Sequence, residues 1–317
     1  MNAADESVPV SVVIPTLGRA APLARCLGSL ARCLPPAAEI VVADQSGSDE
    51  VAHVVSRFAA AGARLVACDG RGVSNSRNVG LRSAANDIVM VVDDDCTVEP
   101  DWVGVGWRSM DGRSNTIVTG RVLPVGDPES VPSTIVDPEP RDYTGELRGG
   151  ILFGGNMALN RHEVLAAGAF DERFSPEEAA EDNDFCYRWL KAGHRLLYEP
   201  TMTIHHHDWR TPDELRELYL RYTRGEGFFY AKHLRQGDLR MLRFIARDVY
   251  WGLRSLAAAA VKGREDWTDF RRSILRGMPV GLWRGWRALR PTEPRYLSPG
   301  ASTPPERGAE ESERSSS

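Results

Sequence analysis

Three carboxylates stand side by side where the chain leaves an apolar run. Asp93, Asp94 and Asp95 directly follow Ile88–Val92, whose β-branched residues predict a buried strand. Adjacent carboxylates repel one another unless a cation lies between them. Mg²⁺ and Mn²⁺ take hard oxygen ligands of this kind together with phosphate oxygens. The cluster therefore favours a metal–diphosphate site, with a solvated acidic turn as the plainer alternative.

A second acidic cluster opens a predicted helix further along the chain. Glu181, Asp182 and Asp184 form the pattern E-D-x-D. A carboxylate here could act as general base toward a substrate hydroxyl, but acids in a first helical turn also stabilise the helix dipole. Arg188 lies four residues after Asp184, the spacing of a helical ion pair.

Three consecutive histidines end a run that predicts a strand. Because side chains alternate between the two faces of a strand, His206 shares a face with Ile204, and its two histidine neighbours share the other. Each of the three histidines is a candidate metal ligand by residue type alone.

The elements that position these residues alternate between strand and helix. Apolar runs at 8–15, 39–43, 64–67 and 88–92 predict strands, with helical patterns at 23–34, 50–61 and 76–85 between them. This alternation predicts an α/β fold with a mostly parallel sheet and helices on both faces. Ligands of such sheets bind at the carboxyl ends of the strands, which is where Asp93 stands.

The net charge of −5 over 317 residues argues against a general nucleic-acid binder. It is the sum of regions whose net charges differ in sign. Residues 1–207 sum to −11, residues 208–290 to +8 and residues 291–317 to −2.

The five cysteines include no C-x-x-C pair, which favours free buried thiols. The polar start predicts no secretory leader, and no apolar run reaches the ~18 residues that a spanning helix requires.

The basic region carries helical patterns. Thr211 before Pro212 predicts a helix start. Residues 239–260 and 274–289 combine apolar stripes with arginine and tryptophan. That composition suits packing on the rest of the chain, and it also suits docking on an anionic membrane.

Eight segments, in order, resemble family 2 glycosyltransferases, which have the GT-A fold. The segments that resemble the family's nucleotide-binding half are VSVVIPTLGR (10–19), EIVVADQSGSD (39–49), GRGVSNSRNVGL (70–81) and DIVMVVDDDCTVEP (87–100). Those that resemble its acceptor half and closing strand are GGNMA (154–158), GAFDERF (168–174), EDNDFCYRWLKAG (181–193) and YEPTMTIHHH (198–207). The resemblance implies an inverting transfer of a sugar from a nucleoside-diphosphate donor to an acceptor hydroxyl.

The resemblance implies which residues contact the donor. Pro15 and Thr16 would line the nucleoside, and Asp44 would accept a hydrogen bond from the base. The position before Asp44 is often acidic in the family and is Ala43 here. Arg77 would hold the nucleotide or its diphosphate, since a planar guanidinium suits phosphate oxygens.

The resemblance also implies the metal site and the base. Asp93 and Asp95 match the family's D-x-D motif, so Asp95 would ligate Mn²⁺ or Mg²⁺ between the phosphates. Asp93 would face the ribose or the water on the metal, with Asp94 also on the donor side. His206 would be a further metal ligand, its two histidine neighbours remaining alternatives. Asp182 would be the general base.

Two loops are expected to border this site. Residues 124–150 are rich in turn formers, which predicts either a surface excursion or a functional loop that acts as a lid or contacts the acceptor. Asn156 and Met157 are expected in the loop between the donor and acceptor halves. The glycines that precede them permit close backbone approach to a sugar.

The same reasoning predicts three regions and a set of partners. Residues 1–207 would be the catalytic domain, with halves at about 8–100 and 101–207, followed by a basic helical appendage at 208–290 and a disordered tail at 291–317. The expected partners are a nucleotide sugar, a hydroxyl acceptor such as a lipid-linked glycan, and an anionic membrane surface, with no nucleic acid. The expected location is the cytoplasm, with peripheral attachment to the inner face of the membrane.

Two other functions fit part of the sequence. In a haloacid-dehalogenase-type phosphatase, Asp93 would be the nucleophile and Asp95 the acid/base. That mechanism needs a lysine downstream, and the first one is Lys191, far along the chain. The other alternative is a catalytically silent module that only binds nucleotide sugars.

Overall fold

The computed structural model describes residues 6–127, 131, 133–145, 150–174, 178–207, 210–262 and 268–288. The strands are β1 Val8–Thr16, β2 Ala37–Asp44, β3 Ala63–Ala67, β4 Ile88–Val92, β5 Cys96–Val98, β6 Thr116–Val125, β7 Arg141–Thr144, β8 Asn156–Asn160 and β9 Arg195–His207. The helices are α1 Ala20–Leu30, α2 Asp49–Ser56, α3 Val73–Ser83, α4 Trp102–Met110, α5 Arg161–Ala166, α6 Glu181–Lys191, α7 Pro212–Arg235, α8 Arg240–Lys262 and α9 Thr268–Ala288. The predicted disordered tail lies outside the described residues.

The described strands form a nine-stranded sheet in the order β3-β2-β1-β4-β8-β6-β9-β5, with β7 also paired to β9. Strands β3, β2, β1 and β4 pair in parallel, as do β6 and β9. Strands β8, β5 and β7 are antiparallel to their neighbours. Most strands of the sheet therefore run in one direction, as predicted. Strand β8 lies between β4 and β6 and runs in the opposite direction, as do β5 and β7.

Helices cover both faces of this sheet. On one face Leu27 of α1, Val51 of α2 and Trp102 of α4 belong to one buried apolar cluster. On the other, Val164 of α5 and Phe185 of α6 share a second buried cluster, which also includes Leu81 of α3. The β-branched strands lie between these layers, which explains their continuous apolar runs and confirms the predicted α/β class.

Several element boundaries differ from the expectations. The 124–150 stretch contains strand β7, so its described part is not wholly a loop. Asn156 and Met157 were expected in a loop, and they instead begin strand β8. The Asn156 amide donates to two backbone carbonyls and accepts from the Trp102 indole at 2.9 Å. The residue therefore ties strands and helix together, which is why it begins a strand.

The three C-terminal helices pack on the α/β region. Helix α7 begins with the predicted Thr211 cap, and Glu214 completes a reciprocal capping box. Phe228 and Phe229 of α7 and Met278 of α9 share a buried cluster with Tyr187 of α6. The packing alternative is thus realised, while the division at residue 207 stays a prediction.

Helices α7 and α9 approach each other through glycines. A Cβ added at Gly281 would lie 1.8 Å from the Arg224 carbonyl oxygen, and one at Gly227 would lie 2.2 Å from the Met278 carbonyl oxygen. Side chains larger than hydrogen at these positions would force the backbones apart.

None of the helices among the described residues has the length and the apolar composition that a membrane span requires.

Candidate active site

The carboxyl ends of β1, β2 and β4 bring the predicted donor residues to one edge of the sheet. Pro15 and Thr16 pair with Ala43 and Asp44 across the β1–β2 ladder. The Asp44 carboxylate accepts hydrogen bonds from the backbone nitrogens of Ser46 at 2.9 Å and Gly47 at 3.0 Å. Its carboxylate thereby shapes the loop after β2, and its contact with a base stays a prediction.

Asp94 is fully buried beneath this edge. Its Oδ2 accepts from the Thr16 hydroxyl at 2.6 Å, and Arg19 pairs with its carboxylate. Burial raises the pKa of Asp94 to about 7, although the Arg19 charge opposes that shift. The side chain therefore braces the β1 loop from below, and direct contact with the donor remains a prediction.

Asp95 and His206 form the candidate metal site. Asp95 Oδ1 lies 3.7 Å from His206 Nε2, and these atoms group with Cys96 Sγ within 4.8 Å. His205 instead contacts Glu99 at 2.7 Å, and His207 contacts Thr97 at 3.0 Å. Among the three histidines, His206 is thus the one beside the D-x-D carboxylate.

The ligand atoms that Asp95 and His206 offer fit a divalent metal. Both Asp95 and His206 are buried. The buried His206 Nδ1 has no hydrogen-bond partner among the described residues. A carboxylate oxygen with an imidazole nitrogen suits Mn²⁺ better than Mg²⁺, which prefers oxygen alone. Ligation stays a prediction, and the residues that would perform it are in place.

Arg77 connects the two predicted acidic clusters. Its guanidinium is buried, with Nη1 2.8 Å from Glu181 Oε1 and Nη2 3.2 Å from Asp93 Oδ1. Arg77, Asp93, Glu181 and Asp182 line one cavity of about 320 Å³. The Asp93 carboxylate and the acids of α6 therefore face the same space.

Asp182 enters this cavity from the first turn of α6. Its carboxylate accepts from the Asn183 backbone nitrogen at 2.8 Å and from the Gly154 backbone nitrogen at 3.4 Å. Burial, and then repulsion from Glu181, raises the pKa of Asp182 to about 7, with Arg77 opposing the shift. A carboxylate with that pKa is suited to accept a proton near neutral pH.

Gly154 and Gly155 let the chain pass close to these charged groups. A Cβ at Gly154 would lie 2.6 Å from Arg77 Nη1, and one at Gly155 would lie 2.4 Å from Asp93 Oδ2. Close approach was predicted toward a sugar. In the structure the groups approached are Arg77 and Asp93, which are themselves predicted to contact the donor.

Asp184 anchors α6 rather than facing the cavity. It is fully buried and pairs with Arg188 Nε at 2.8 Å, as the spacing predicts. Lys232 Nζ lies 2.7 Å from Asp184, and His233 Nε2 lies 3.0 Å away, both from α7. Burial alone would raise the pKa of Asp184, but Lys232 and Arg188 outweigh it and hold that pKa well below its usual range.

Four residues near the site were missed by sequence reasoning. Arg19 Nη1 lies 2.8 Å from Asp95, and Arg210 Nη2 lies 3.9 Å from the same carboxylate. Tyr222 and Glu226 of α7 line the cavity with Asp182. Arg19 lies within the first segment that resembles the family, so the sequence could have indicated it. Tyr222 and Glu226 of α7 belong to no recognisable motif.

A comparison with models of protein families agrees with this arrangement of residues. The model of glycosyl transferase family 2 matches residues 11–165, which include Thr16, Asp44, Arg77 and the acids after β4. The chain belongs to glycosyl transferase family 2. Membership of this family favours glycosyl transfer over the phosphatase alternative. Consistently, Lys191 is paired with Asp238 at 2.5 Å, remote from Asp93 in sequence and contacts.

Relatives of this family 2 member include a curated protein and solved structures. Glucosyl-dolichyl phosphate glucuronosyltransferase of Haloferax volcanii is 25% identical over 185 residues, which span 53% of this chain and 58% of that relative. A mannosyltransferase from Pyrobaculum calidifontis, solved with GDP-Man and Mn²⁺, aligns with a TM-score of 0.60 at 18% identity over 89% of each chain. GalNAc-T7, solved with UDP, GalNAc and Mn²⁺, aligns with a TM-score of 0.54 at 17% identity over 71% of this chain and 50% of that one. These likenesses support the GT-A fold.

Proposed function

We propose that this enzyme is a metal-dependent, inverting glycosyltransferase with Asp182 as its general base. The observation that carries the proposal is the position of Asp182. Two backbone N–H groups orient its carboxylate in a cavity that Asp93 and Arg77 also line. Its pKa of about 7 suits proton transfer from an acceptor hydroxyl.

The donor would lie across the carboxyl ends of β1, β2 and β4. Thr16 and Asp44 stand at the nucleoside end and Asp93 at the sugar end. Arg77 lies beside Asp93 with a delocalised positive charge suited to a diphosphate. Mn²⁺ or Mg²⁺ held by Asp95 and His206 would neutralise negative charge on the leaving group.

The proposed chemical step is a single displacement. The acceptor hydroxyl oxygen forms a bond to the anomeric carbon while its proton passes to Asp182. The bond between the anomeric carbon and the diphosphate oxygen breaks, and the nucleoside diphosphate leaves with the electron pair. Because attack and departure occur on opposite faces, the anomeric configuration inverts.

The proposed acceptor is a lipid-linked glycan or glycolipid. The name of the Haloferax relative describes an enzyme that acts on a glucosyl-dolichyl phosphate. That relative is matched over little more than half its length, so this acceptor class is part of the proposal.

A membrane-facing role for α8 and α9 fits such an acceptor. Part of the predicted apolar stripe of α8 is not packed. The exposed apolar residues of the two helices include Leu242, Tyr250, Trp251, Leu253, Leu256, Val280, Trp283 and Trp286. Arg254 lies over the Trp251 ring and Arg287 over the Trp283 ring, so basic groups accompany the exposed aromatics. This pairing is typical of helices that lie on anionic lipid.

Vesicle sedimentation tests this surface. The full chain should sediment with phosphatidylglycerol vesicles at low salt and less with phosphatidylcholine vesicles. Changing Trp283 and Trp286 together to Ala should weaken sedimentation, whereas Trp107→Ala on the α/β region should not. Failure of the unaltered chain to sediment would exclude peripheral binding to this lipid.

Replacement of the proposed base tests the catalytic proposal. A thermal-shift screen of UDP- and GDP-sugars with Mn²⁺ first identifies the donor. Asp182→Asn should then abolish sugar transfer while retaining metal-dependent donor binding. The exposed Asp111→Asn is the matched control and should transfer normally. Transfer retained by Asp182→Asn would refute the base, and donor binding without turnover by the unaltered chain would indicate the binding-module alternative.

A further inference from the structure

A second cavity opens beside the catalytic one. It has a volume of about 250 Å³ and lies among α6, α7, α8 and α9. Gly150, Asn183, Glu226 and Phe270 line both cavities. Asn183 directly follows the proposed base, so this second cavity, here called the helical cavity, reaches the catalytic one beside Asp182.

Each helix contributes one face to the helical cavity. Its aromatic and apolar wall consists of Tyr187, Phe229, Tyr230, Phe244, Phe270, Ile274 and Met278. The α9 members recur every four residues, as do Glu226 and Tyr230 on α7 and Phe244 and Asp248 on α8. The cavity is therefore a product of how the three C-terminal helices pack against α6.

The wall also holds a hydrogen-bonded acidic group. The Tyr230 hydroxyl lies 2.7 Å from Glu226 Oε2 and also contacts Asp248. Burial raises the pKa of Glu226 to about 7, with the Tyr230 hydrogen bond opposing the shift. Asn183 Nδ2 donates to the other Glu226 oxygen at 3.4 Å. A phenol has only one proton to give, so a protonated Glu226 can donate to Tyr230 while Tyr230 donates to Asp248.

The chemistry of this wall selects among ligand classes. A lipid tail would bury the Glu226 and Asp248 carboxyl groups against hydrocarbon without new partners, which is costly. A phosphate or a sugar acid would meet the Asp248 carboxylate as a like charge, since the Arg247 guanidinium that also lines the cavity is already paired with Asp248 at 2.9 Å. A neutral sugar ring offers C–H faces to aromatic rings and hydroxyl protons to carboxylates, so it satisfies both parts of the wall.

We propose that the helical cavity binds a neutral sugar ring of the acceptor and that Glu226, at the junction with the catalytic cavity, positions it. The inference rests on the proposed glycosyl transfer. A ring seated here enters from the side of α7 and α9, whereas the donor lies at the strand ends. Donor and acceptor would thus reach Asp182 from different walls.

Ligand specificity of the unaltered full chain tests the proposal. With Mn²⁺ and the nucleoside diphosphate present, para-nitrophenyl glycosides of neutral hexoses serve as probes in calorimetry. The matched hexuronides and a long-chain alcohol serve as comparisons. Neutral glycosides should bind at least about tenfold more tightly than hexuronides, because the Asp248 carboxylate, and Glu226 once it is ionised, repel the charged ring. Equal or tighter binding of hexuronides or of the alcohol would overturn the neutral-sugar assignment.

Two variants test the location. Glu226→Ala should raise the KM for the acceptor glycoside about tenfold or more, the loss expected when a buried hydrogen-bond partner is removed and the other group is left unsatisfied. Ile274→Trp should do so by filling the cavity. The control Glu217→Ala alters an exposed acid on the same helix, paired with Arg224, and should leave transfer unchanged. An unchanged acceptor KM in both folded variants would refute the location.

The proposed function is measured separately. Metal-dependent binding and slow hydrolysis of the donor by the unaltered chain need no acceptor. If these are present and the glycoside results fail, the acceptor site is wrong while the transferase proposal stands. If they are absent, the metal-dependent mechanism proposed above fails.

Discussion

Arg77 and Glu181 form a buried ion pair of 2.8 Å across 104 positions of sequence. The same guanidinium reaches Asp93 at 3.2 Å. One planar side chain therefore sets the distance between the carboxylate that ends β4 and the helix that carries the proposed base. This relationship joins the two predicted halves of the site.

Replacing Arg77 with Lys should damage catalysis more than stability. A lysine ammonium is a point charge and cannot bridge both carboxylates in the geometry of the guanidinium fork. We expect kcat/KM to fall at least about tenfold, the effect of losing one charge-assisted hydrogen bond. The matched control is Arg82→Lys on the same helix, since Arg82 is half exposed and lies 3.9 Å from Glu172. Equal effects of the two substitutions would contradict this role of Arg77.

The pH profile should report Asp182. Its pKa is raised to about 7, so the carboxyl is protonated below that pH and ionised above it. Because a base must be ionised to accept a proton, kcat/KM should fall about tenfold per pH unit below the pKa and level off above it. Arg77→Gln removes a charge that lowers this pKa, so it should move the acidic limb to higher pH. A profile flat from pH 5 to 8 would exclude Asp182 as the titrating base.

Gly155→Ala should impair activity with little loss of stability. The new Cβ would lie 2.4 Å from Asp93 Oδ2 and 2.8 Å from Phe153 Cε1, so the carboxylate must swing aside and the ring must shift slightly, while no backbone atom is displaced. Swinging aside takes Asp93 away from Arg77 and from the donor. Transfer rate and urea unfolding measured together separate the two effects. The control is Gly28→Ala in α1, where the nearest atom is 3.8 Å from an added Cβ. Normal activity of Gly155→Ala would show that the position of Asp93 is not critical.

His206→Ala should weaken Mn²⁺ binding at least about tenfold, since even outer groups of metal sites carry effects of that size. The affinity can be measured from the electron paramagnetic resonance signal of free Mn²⁺. His162→Ala is the control, because His162 is exposed and its ion pair among the described residues is with Asp87, away from the metal site. Unchanged Mn²⁺ affinity in His206→Ala would remove His206 from the metal site. Chelation should abolish transfer by the unaltered chain and added Mn²⁺ should restore it.

The sequence was sufficient for the features that depend on local pattern. Strand–helix alternation gave the α/β class, and spacing gave the Asp184–Arg188 pair. Features that depend on distant contacts were not predictable. Nothing near Asn156 indicates that it begins an antiparallel strand in mid-sheet, because the three hydrogen-bond partners of its side-chain amide lie far along the chain. Glu226 likewise lies in an ordinary helical segment, and only the packing of α7 brings it to the cavity that Asp182 lines.

The glycine contact between α7 and α9 gives a final prediction about stability. An alanine Cβ at Gly281 would lie 1.8 Å from the Arg224 carbonyl oxygen, a backbone atom that cannot rotate away. Gly281→Ala should therefore lower the free energy of unfolding by about 1–3 kcal/mol, the usual cost of overpacking. Val280→Ala, at an exposed position of the same helix, should change it by less than about 0.5 kcal/mol. Both values follow from urea titrations of the full chain. Because α9 also forms a wall of the helical cavity, Gly281→Ala should weaken acceptor binding as well. A stable Gly281→Ala protein would mean that α7 and α9 do not pack this closely in solution.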